Sequence, residues 1–231
     1  MPRSPDPLVD TALAASFLAA FPPDILARLL ADAGRYAIPA GTTMQGDPRA
    51  PARLSLVLAG LSRLYLMSPE GRQVTVRYLR PGDVVGTAAF VAGPSPVIFQ
   101  VLTDSILLSF NIPAFREIAR TNATVALLLA KEVGERLFDT LDVVAGTAFA
   151  SIRERVAYHL LEIAASRQEG AMLVVAVTQQ ELADAVGSVR EVIARVLREL
   201  RMEGLIATRA GDIALLDPDR LYRAAWTRDA A

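Results

Sequence analysis

Three features of this 231-residue sequence predict an α+β fold in which a β-rich N-terminal part and a small C-terminal winged helix-turn-helix are joined by one long helix. From Tyr36 to Phe110 short apolar runs alternate with turn residues at close spacing, the pattern of a roll, sandwich or barrel. Leu127, Ala130, Gly134, Leu137, Leu141 and Val144 then recur with 3,4 spacing on what reads as one helix from Thr124 to about Ala145. Finally, Thr178–Leu200 reads as two short helices about a tight turn, with a hairpin behind them.

At the N-terminus, residues of about 8–33 are helical, with Leu13, Phe17, Ile25, Leu26 and Leu29 as packing positions and Pro22-Pro23-Asp24 opening a second helix. Thr11–Phe21 is apolar and follows Arg3, but Asp6, Asp10 and the prolines before it do not fit the basic start of a signal peptide. No run reaches the roughly 18 apolar residues of a membrane span, so the expectation is a cytoplasmic protein without a membrane partner. The expected strands are Leu54–Leu58, Leu61–Met67, Val74–Leu79, Val97–Leu102 and Ile106–Phe110. Turns fall at Pro39–Gly41, Gly46–Pro48, Gly60, Pro69–Gly71, Pro81–Asp83 and Ala92–Pro94.

Asn111–Ala119 reads as a short helix with Pro113 in its first turn. The apolar stripe of the long helix fits either a dimer seam or an intramolecular core. Its other side carries Val125, Leu129 and Val133 to dock on the β domain, which favours the dimer, and Gly134 lets two helices come close. Gly146–Ala150 is the expected linker, and Ser151 with Glu154 forms a capping box that starts the next helix. His159 on that helix reads as a surface or partly buried histidine, since no second ligand candidate is near it.

The C-terminal segment is the most informative. Thr178 and Glu181 form a capping box, Leu182, Ala185 and Val186 make an apolar stripe, and Gly187 ends the first helix. Ser188 is the expected N-cap of the second. Ile193, Val196, Leu197 and Leu200 line one side of that helix; Arg190, Glu191, Arg195 and Arg198 line the other. Arginine pairs with guanine O6 and N7, and glutamate accepts from cytosine N4. Arg190 and Glu191 stand in the first turn, where a recognition helix meets base edges, and Val192 beside them can touch a thymine methyl. Arg195, four residues after Glu191, can hold it in an i,i+4 pair. An ordinary helical hairpin with a solvated charged face shares this spacing. The wing weighs against it: Glu203-Gly204 turns the chain into Leu205–Arg209, Ala210–Asp212 and Ile213–Leu216. Arg209 near the wing tip is placed for a phosphate, and Thr178, Gln179, Gln180, Ser188 and Val189 complete the expected DNA-contacting set. Asp217-Pro218-Asp219 starts a last helix through Trp226.

Composition narrows the chemistry. There is no cysteine and one histidine, so iron–sulfur ligation and thiolate–metal sites are excluded, and a triad or a metal enzyme on a cupin-like roll is disfavoured. The net charge is −1, so positive charge is local, gathered at Arg190, Arg195, Arg198, Arg201 and Arg209.

The segment Thr178-x-Gln180-Glu181-Leu182 with Val186-Gly187, then Arg190-Glu191 and Arg195, then Leu200 and Gly204-Leu205-Ile206 before a hairpin, resembles the DNA-binding domain of the CRP/FNR superfamily. Tyr78–Gly86 resembles a turn of the cyclic-nucleotide-binding β-roll, so the resemblance extends over nearly the whole chain. It implies a homodimer through the long helix, a two-fold operator in double-stranded DNA, RNA polymerase as a further partner, and no catalysis. The implied division is 1–120 for helices and β-roll, 121–146 for the dimerisation helix and 147–231 for the winged helix.

In cyclic-AMP-binding members a Gly-Glu-Leu element holds the ribose and an Arg-Ser-Ala element holds the phosphate. Here the first reads Gly86-Thr87-Ala88 and the second Ser95-Pro96-Val97, so both the glutamate and the arginine are missing. Thr140 matches a threonine that contacts adenine, Leu141 replaces a serine, and Arg136 matches a basic position near the ligand. The remaining candidate pocket is apolar, with Leu64, Val76, Val85, Thr87, Ala88, Val97, Phe99, Leu137 and Leu141, and with Arg77 or Arg136 as a polar anchor. It fits a hydrophobic or weakly acidic effector rather than cyclic AMP; a roll filled by its own side chains, or a cyclic-nucleotide or cyclic-dinucleotide sensor with a non-standard phosphate site, are the other readings. No cofactor is implied, and haem lacks its usual axial ligands. A cyclic-nucleotide module that regulates something other than DNA is opposed by the Arg190, Glu191, Arg195 face.

Overall fold

The computed structural model describes residues 6–45, 53–69, 71, 73–164, 168–169, 172–209 and 211–225. The turn expected at Gly46–Pro48, the wing-tip residue Ala210 and the helix end at Trp226 lie outside the described residues, as does the side chain of Arg209. The chain divides into two compact units. One runs to Leu64 and resumes over Leu79–Thr140; the other holds Tyr65–Tyr78 and everything from Leu141 onward.

The chain begins with α1 (Pro7–Ala14), a 3-10 turn (Phe17–Ala20) and α2 (Pro23–Ala31). The strands β1 (Gly34–Ile38), β2 (Thr43–Gln45), β3 (Ser55–Ala59), β4 (Ser62–Met67), β5 (Gln73–Leu79) and β6 (Val84–Val85) follow. After them come α3 (Thr87–Ala92), β7 (Ile98–Val101), β8 (Ser105–Ser109), α4 (Ile112–Thr121) and α5 (Ala123–Phe149). The strands form two four-stranded sheets, ordered β1-β8-β3-β6 and β2-β7-β4-β5. Strands β3 and β8 pair antiparallel with Leu56 opposite Leu108 and Val57 opposite Leu107. Successive strand residues face opposite sides. Leu56 and Leu108 therefore join the helices in one core, with Leu18, Leu29, Phe115 and Val125. Val57 and Leu107 join Leu79, Phe99 and Val101 in another. Both faces are buried, which is why these strands read as continuous apolar runs.

Elements with weak local patterns were not expected: β1, β2, β6 and α3. Strand β1 has three exposed residues in its middle and is held by its ladder to β8, from Gly34–Ser109 to Ile38–Ser105. The long helix extends past its expected end through the supposed linker to Phe149, and the Ala150 N–H donates to the Gly146 carbonyl at 2.9 Å. One helical glycine costs only about 1 kcal/mol, and Ala145 and Ala148 beside it are strong helix formers.

The second unit continues with α6 (Ile152–Ala164), β9 (Gln168–Glu169), β10 (Met172–Val175), α7 (Gln179–Val186), α8 (Arg190–Met202), β11 (Ile206–Arg209), β12 (Asp212–Leu215) and α9 (Pro218–Ala225). The expected wing hairpin is half of a larger sheet, ordered β11-β12-β10-β9. Its core joins Val156, Leu160, Leu182, Ile193, Leu200 and Leu221, all fully buried. His159 is more enclosed than expected: it is buried, with the rings of Tyr78 and Tyr158 each 5.6 Å away edge-on. No helix among the described residues is long and apolar enough to cross a membrane.

Candidate nucleic-acid interface and effector site

The helix-turn-helix forms from its own local signals. The Thr178 hydroxyl accepts from the Glu181 N–H at 3.1 Å, and the Glu181 carboxylate accepts from the Thr178 N–H at 2.7 Å. Gly187 sits in the left-handed region (φ 65, ψ 43) and stops α7. The Ser188 N–H donates back to the Ala183 carbonyl at 2.9 Å, so Ser188 closes the first helix instead of capping the second. The N-cap of α8 is Val189, whose side chain makes no capping hydrogen bond among the described residues. The expected Ser188 cap fails because the tight turn already commits that residue to α7.

Helix α8 buries Ile193, Val196, Leu197 and Leu200 and leaves Arg190, Glu191, Arg195 and Arg198 exposed, with Val192 half-buried. Thr178, Gln180 and Val189 are exposed; Gln179 and Ser188 are half-buried. Glu191 and Arg195 do not form the expected i,i+4 ion pair among the described residues, so both side chains are open to solvent. Position 209 lies in β11 opposite Asp212. The far end of α8 is tied down: Arg153 on α6 donates from both terminal nitrogens to the Glu203 carboxylate, at 2.8 and 2.7 Å. The bonds from Arg153 hold the Glu203 carboxyl below the usual glutamate range, and those bonds raise Arg153 in turn. Arg201 donates to its own helix at Leu197 and reaches the Thr208 hydroxyl of β11 at 3.5 Å. Sequence reasoning missed Arg153, because an ion pair 50 residues apart has no periodic signature.

In the first unit Leu64, Val85 and Phe99 pack in one apolar cluster with Val57, Leu79, Val101 and Leu107. Gly86 adopts φ 95 and begins α3, and a side chain there would drive into the Arg53 carbonyl oxygen. Thr87 is buried, and its hydroxyl has no hydrogen-bond partner among the described residues. Ala88 is exposed and Val97 half-buried, with the Ser95 hydroxyl 3.5 Å from the Val97 N–H. Arg136 is already engaged: Nε donates to Glu132 at 2.8 Å and a terminal nitrogen to Asp139 at 2.8 Å. Burial pulls the Arg136 guanidinium down, but the bonds to Asp139 and Glu132 and the nearby Asp83 leave it raised. The Thr140 hydroxyl donates to the Arg136 carbonyl at 2.8 Å. Val76, Arg77 and Leu141 belong to the second unit, so the expected pocket residues are not all brought together in one unit.

Helix α5 is two-sided. Val125 and Leu129 are buried in the helical core, whereas Leu127, Leu137, Leu141, Val144 and Phe149 are all more than half exposed. Gly134 has open space where a side chain would stand.

A winged helix with an exposed basic recognition helix, behind a β-roll and a long helix, defines a DNA-binding regulator carrying a ligand-type sensor domain. Residues 154–224 match the Crp-like helix-turn-helix domain, and residues 41–122 match the cyclic nucleotide-binding domain. The transcriptional regulator SdrP of Thermus thermophilus is 32% identical over 188 residues, covering 79% of this chain and 89% of that protein. A CRP-like cAMP-activated global transcriptional regulator of Mycobacterium tuberculosis is 26% identical over 208 residues, covering 88% and 93%. The solved structure of a CRP/FNR-family transcriptional regulator from Thermus thermophilus aligns with a TM-score of 0.70 at 29% identity, over 84% of this chain and all of that one. The chain belongs to the CRP/FNR family of DNA-binding transcriptional regulators; it is not an enzyme.

Proposed function

We propose that this regulator acts in the cytoplasm as a homodimer on a two-fold symmetric operator, each α8 reading one half-site, and that a small molecule other than cyclic AMP gates it. In this reading 1–120 senses, 121–146 dimerises and 147–231 binds DNA, with RNA polymerase as the further partner. The exposed first turn of α8, with Arg190 and Glu191 side by side, carries the DNA reading. Arg195 lies one turn further along, and Arg209 takes a backbone phosphate from the wing. The test is selection from a random duplex library. Arg190→Ala is expected to cost about 1–3 kcal/mol on the recovered operator and to relax the preference at one base pair. An unchanged base preference in that variant would overturn the docking.

Thr87 and Ser95-Pro96, standing where a ribose-binding glutamate and a phosphate-binding arginine would be, support an effector other than cyclic AMP. The match to the cyclic nucleotide-binding domain over 41–122 favours a second reading, a cyclic-nucleotide or cyclic-dinucleotide sensor with a non-standard phosphate site. The two carboxylates already on Arg136 weigh against it, because they offset the charge a phosphodiester would need.

A further inference from the structure

The recognition helix is held by different means at its two ends. At its start the tight turn fixes it through the backbone, by the Ser188 N–H to the Ala183 carbonyl. Along its length it rests on α6 and α7 through an apolar seam of Ile193, Val196, Leu197 and Leu200. Apolar contact is non-directional, so such a seam resists separation of the helices better than it resists a small rotation or slide. At its end stands the two-toothed fork between Arg153 and Glu203, at 2.8 and 2.7 Å, with Glu199 3.9 Å from the same guanidinium; the longer 3.5 Å bond from Arg201 to the Thr208 hydroxyl is the weaker contact there. A planar guanidinium meeting a carboxylate through two parallel bonds fixes angle as well as distance. Arg153 lies in the first turn of α6, four residues beyond the last residue of α5.

We propose that Arg153 is a positioning residue for sequence recognition: its fork to Glu203 sets the angle at which α8 presents Arg190 and Glu191 to the bases. Helix α8 runs 13 residues from Arg190, so a rise of about 1.5 Å per residue puts the fork roughly 20 Å from the reading end. A small tilt at the fork is carried by the rigid helix to that end. Base-edge hydrogen bonds depend steeply on distance and angle, while phosphate contacts from flexible side chains tolerate the shift. The fork therefore acts on discrimination between sequences and leaves general DNA affinity alone.

This inference rests on the DNA-reading role of α8 proposed above, and its test separates the two. The full-length protein is used to select an operator from a random duplex library, and its affinity is compared with that for a non-operator duplex of equal length at one salt concentration. Arg153→Ala and Glu203→Ala are expected to weaken operator binding by about three- to tenfold, within the range of coupled pairs, with non-operator binding unchanged. Arg153→Lys keeps the charge and loses the fork; it should show the same loss of discrimination with a melting temperature near that of the wild type, which keeps the test sound if the alanine variants fold poorly. The exchange Arg153→Glu with Glu203→Arg should restore discrimination. A purely structural role would lower the melting temperature and leave the operator to non-operator ratio intact, and that result in Arg153→Lys overturns the fork alone. A wild-type chain that enriches no duplex overturns both readings.

Discussion

At the scale of single residues, two positions are fixed by the backbone and one by charge. Gly86 must hold φ 95 with the Arg53 carbonyl where a side chain would go, so Gly86→Ala faces both strain and collision. It is expected to cost about 3 kcal/mol or more, read as a lower denaturation midpoint. The glycine was legible in the sequence as part of a turn, but the collision was not, since Arg53 is far from it in the chain. Gly187 was fully legible, because a helix stop is a local event. Glu203 shows the opposite case. Its depressed titration means the fork contributes stability above the ordinary glutamate value of about 4.3, and loses it as the pH falls through the lower folded value. Melting of the wild type should therefore drop more steeply below about pH 4.3 than melting of Glu203→Gln, and parallel curves would contradict this.

At the scale of elements, what the sequence disclosed depended on whether an element carries its own signal. Helix α7 announces itself through Thr178 and Glu181, and both cap bonds form. Thr178→Ala should cost about 1 kcal/mol in the DNA-free protein, read by chemical denaturation, because it leaves a helix N–H without its side-chain acceptor. Strands β3 and β8 were legible as apolar runs, since both of their faces are buried. Strand β1 was not, because β8 imposes it and its own middle is exposed. The beginning of α8 was misread for a related reason. Serine is a good cap in isolation, but here its N–H closes the preceding helix, and only the three-dimensional turn reveals that competition. The four-stranded sheet behind the wing was seen only in part, as β9 and β10 are only two and four residues long.

At the scale of the whole molecule, the two-sidedness of α5 carries the proposed assembly. A helix with Leu127, Leu137, Leu141 and Val144 exposed along one side presents more apolar surface to water than scattered single residues do. A second copy would cover it, and the open space at Gly134 lets the two helices approach. Leu137→Glu would place like charges against each other across that seam, and light scattering should show the mass of a monomer. A dimer retained by this variant would remove the seam from the account. Two such chains would set their recognition helices on half-sites about 34 Å apart, one turn of duplex.

Effector choice is tested with the full-length protein. Cyclic AMP at micromolar concentration should neither raise the melting temperature nor tighten operator binding. The reason lies in the groups present. Thr87 offers one hydroxyl where two carboxylate oxygens would hold a ribose, and Ser95-Pro96 brings no cation to a phosphodiester. Arg136, the nearest substitute by sequence, already divides its donors between Glu132 and Asp139, and an incoming phosphate would have to displace both. A ligand present at one hundred times its dissociation constant stabilises a fold by about 2.7 kcal/mol, well within reach of a thermal-shift measurement. An apolar ligand is expected to give that shift, offering an acceptor or donor to the buried Thr87 hydroxyl, which has no hydrogen-bond partner among the described residues. Thr87→Val would then weaken the response while leaving the fold in place, since it removes an unbonded buried hydroxyl at nearly constant volume. Saturable stabilisation by cyclic AMP, lost on Arg136→Ala, would instead show that the carboxylates release the arginine to the phosphate, and would place the chain among the nucleotide-gated members of its family.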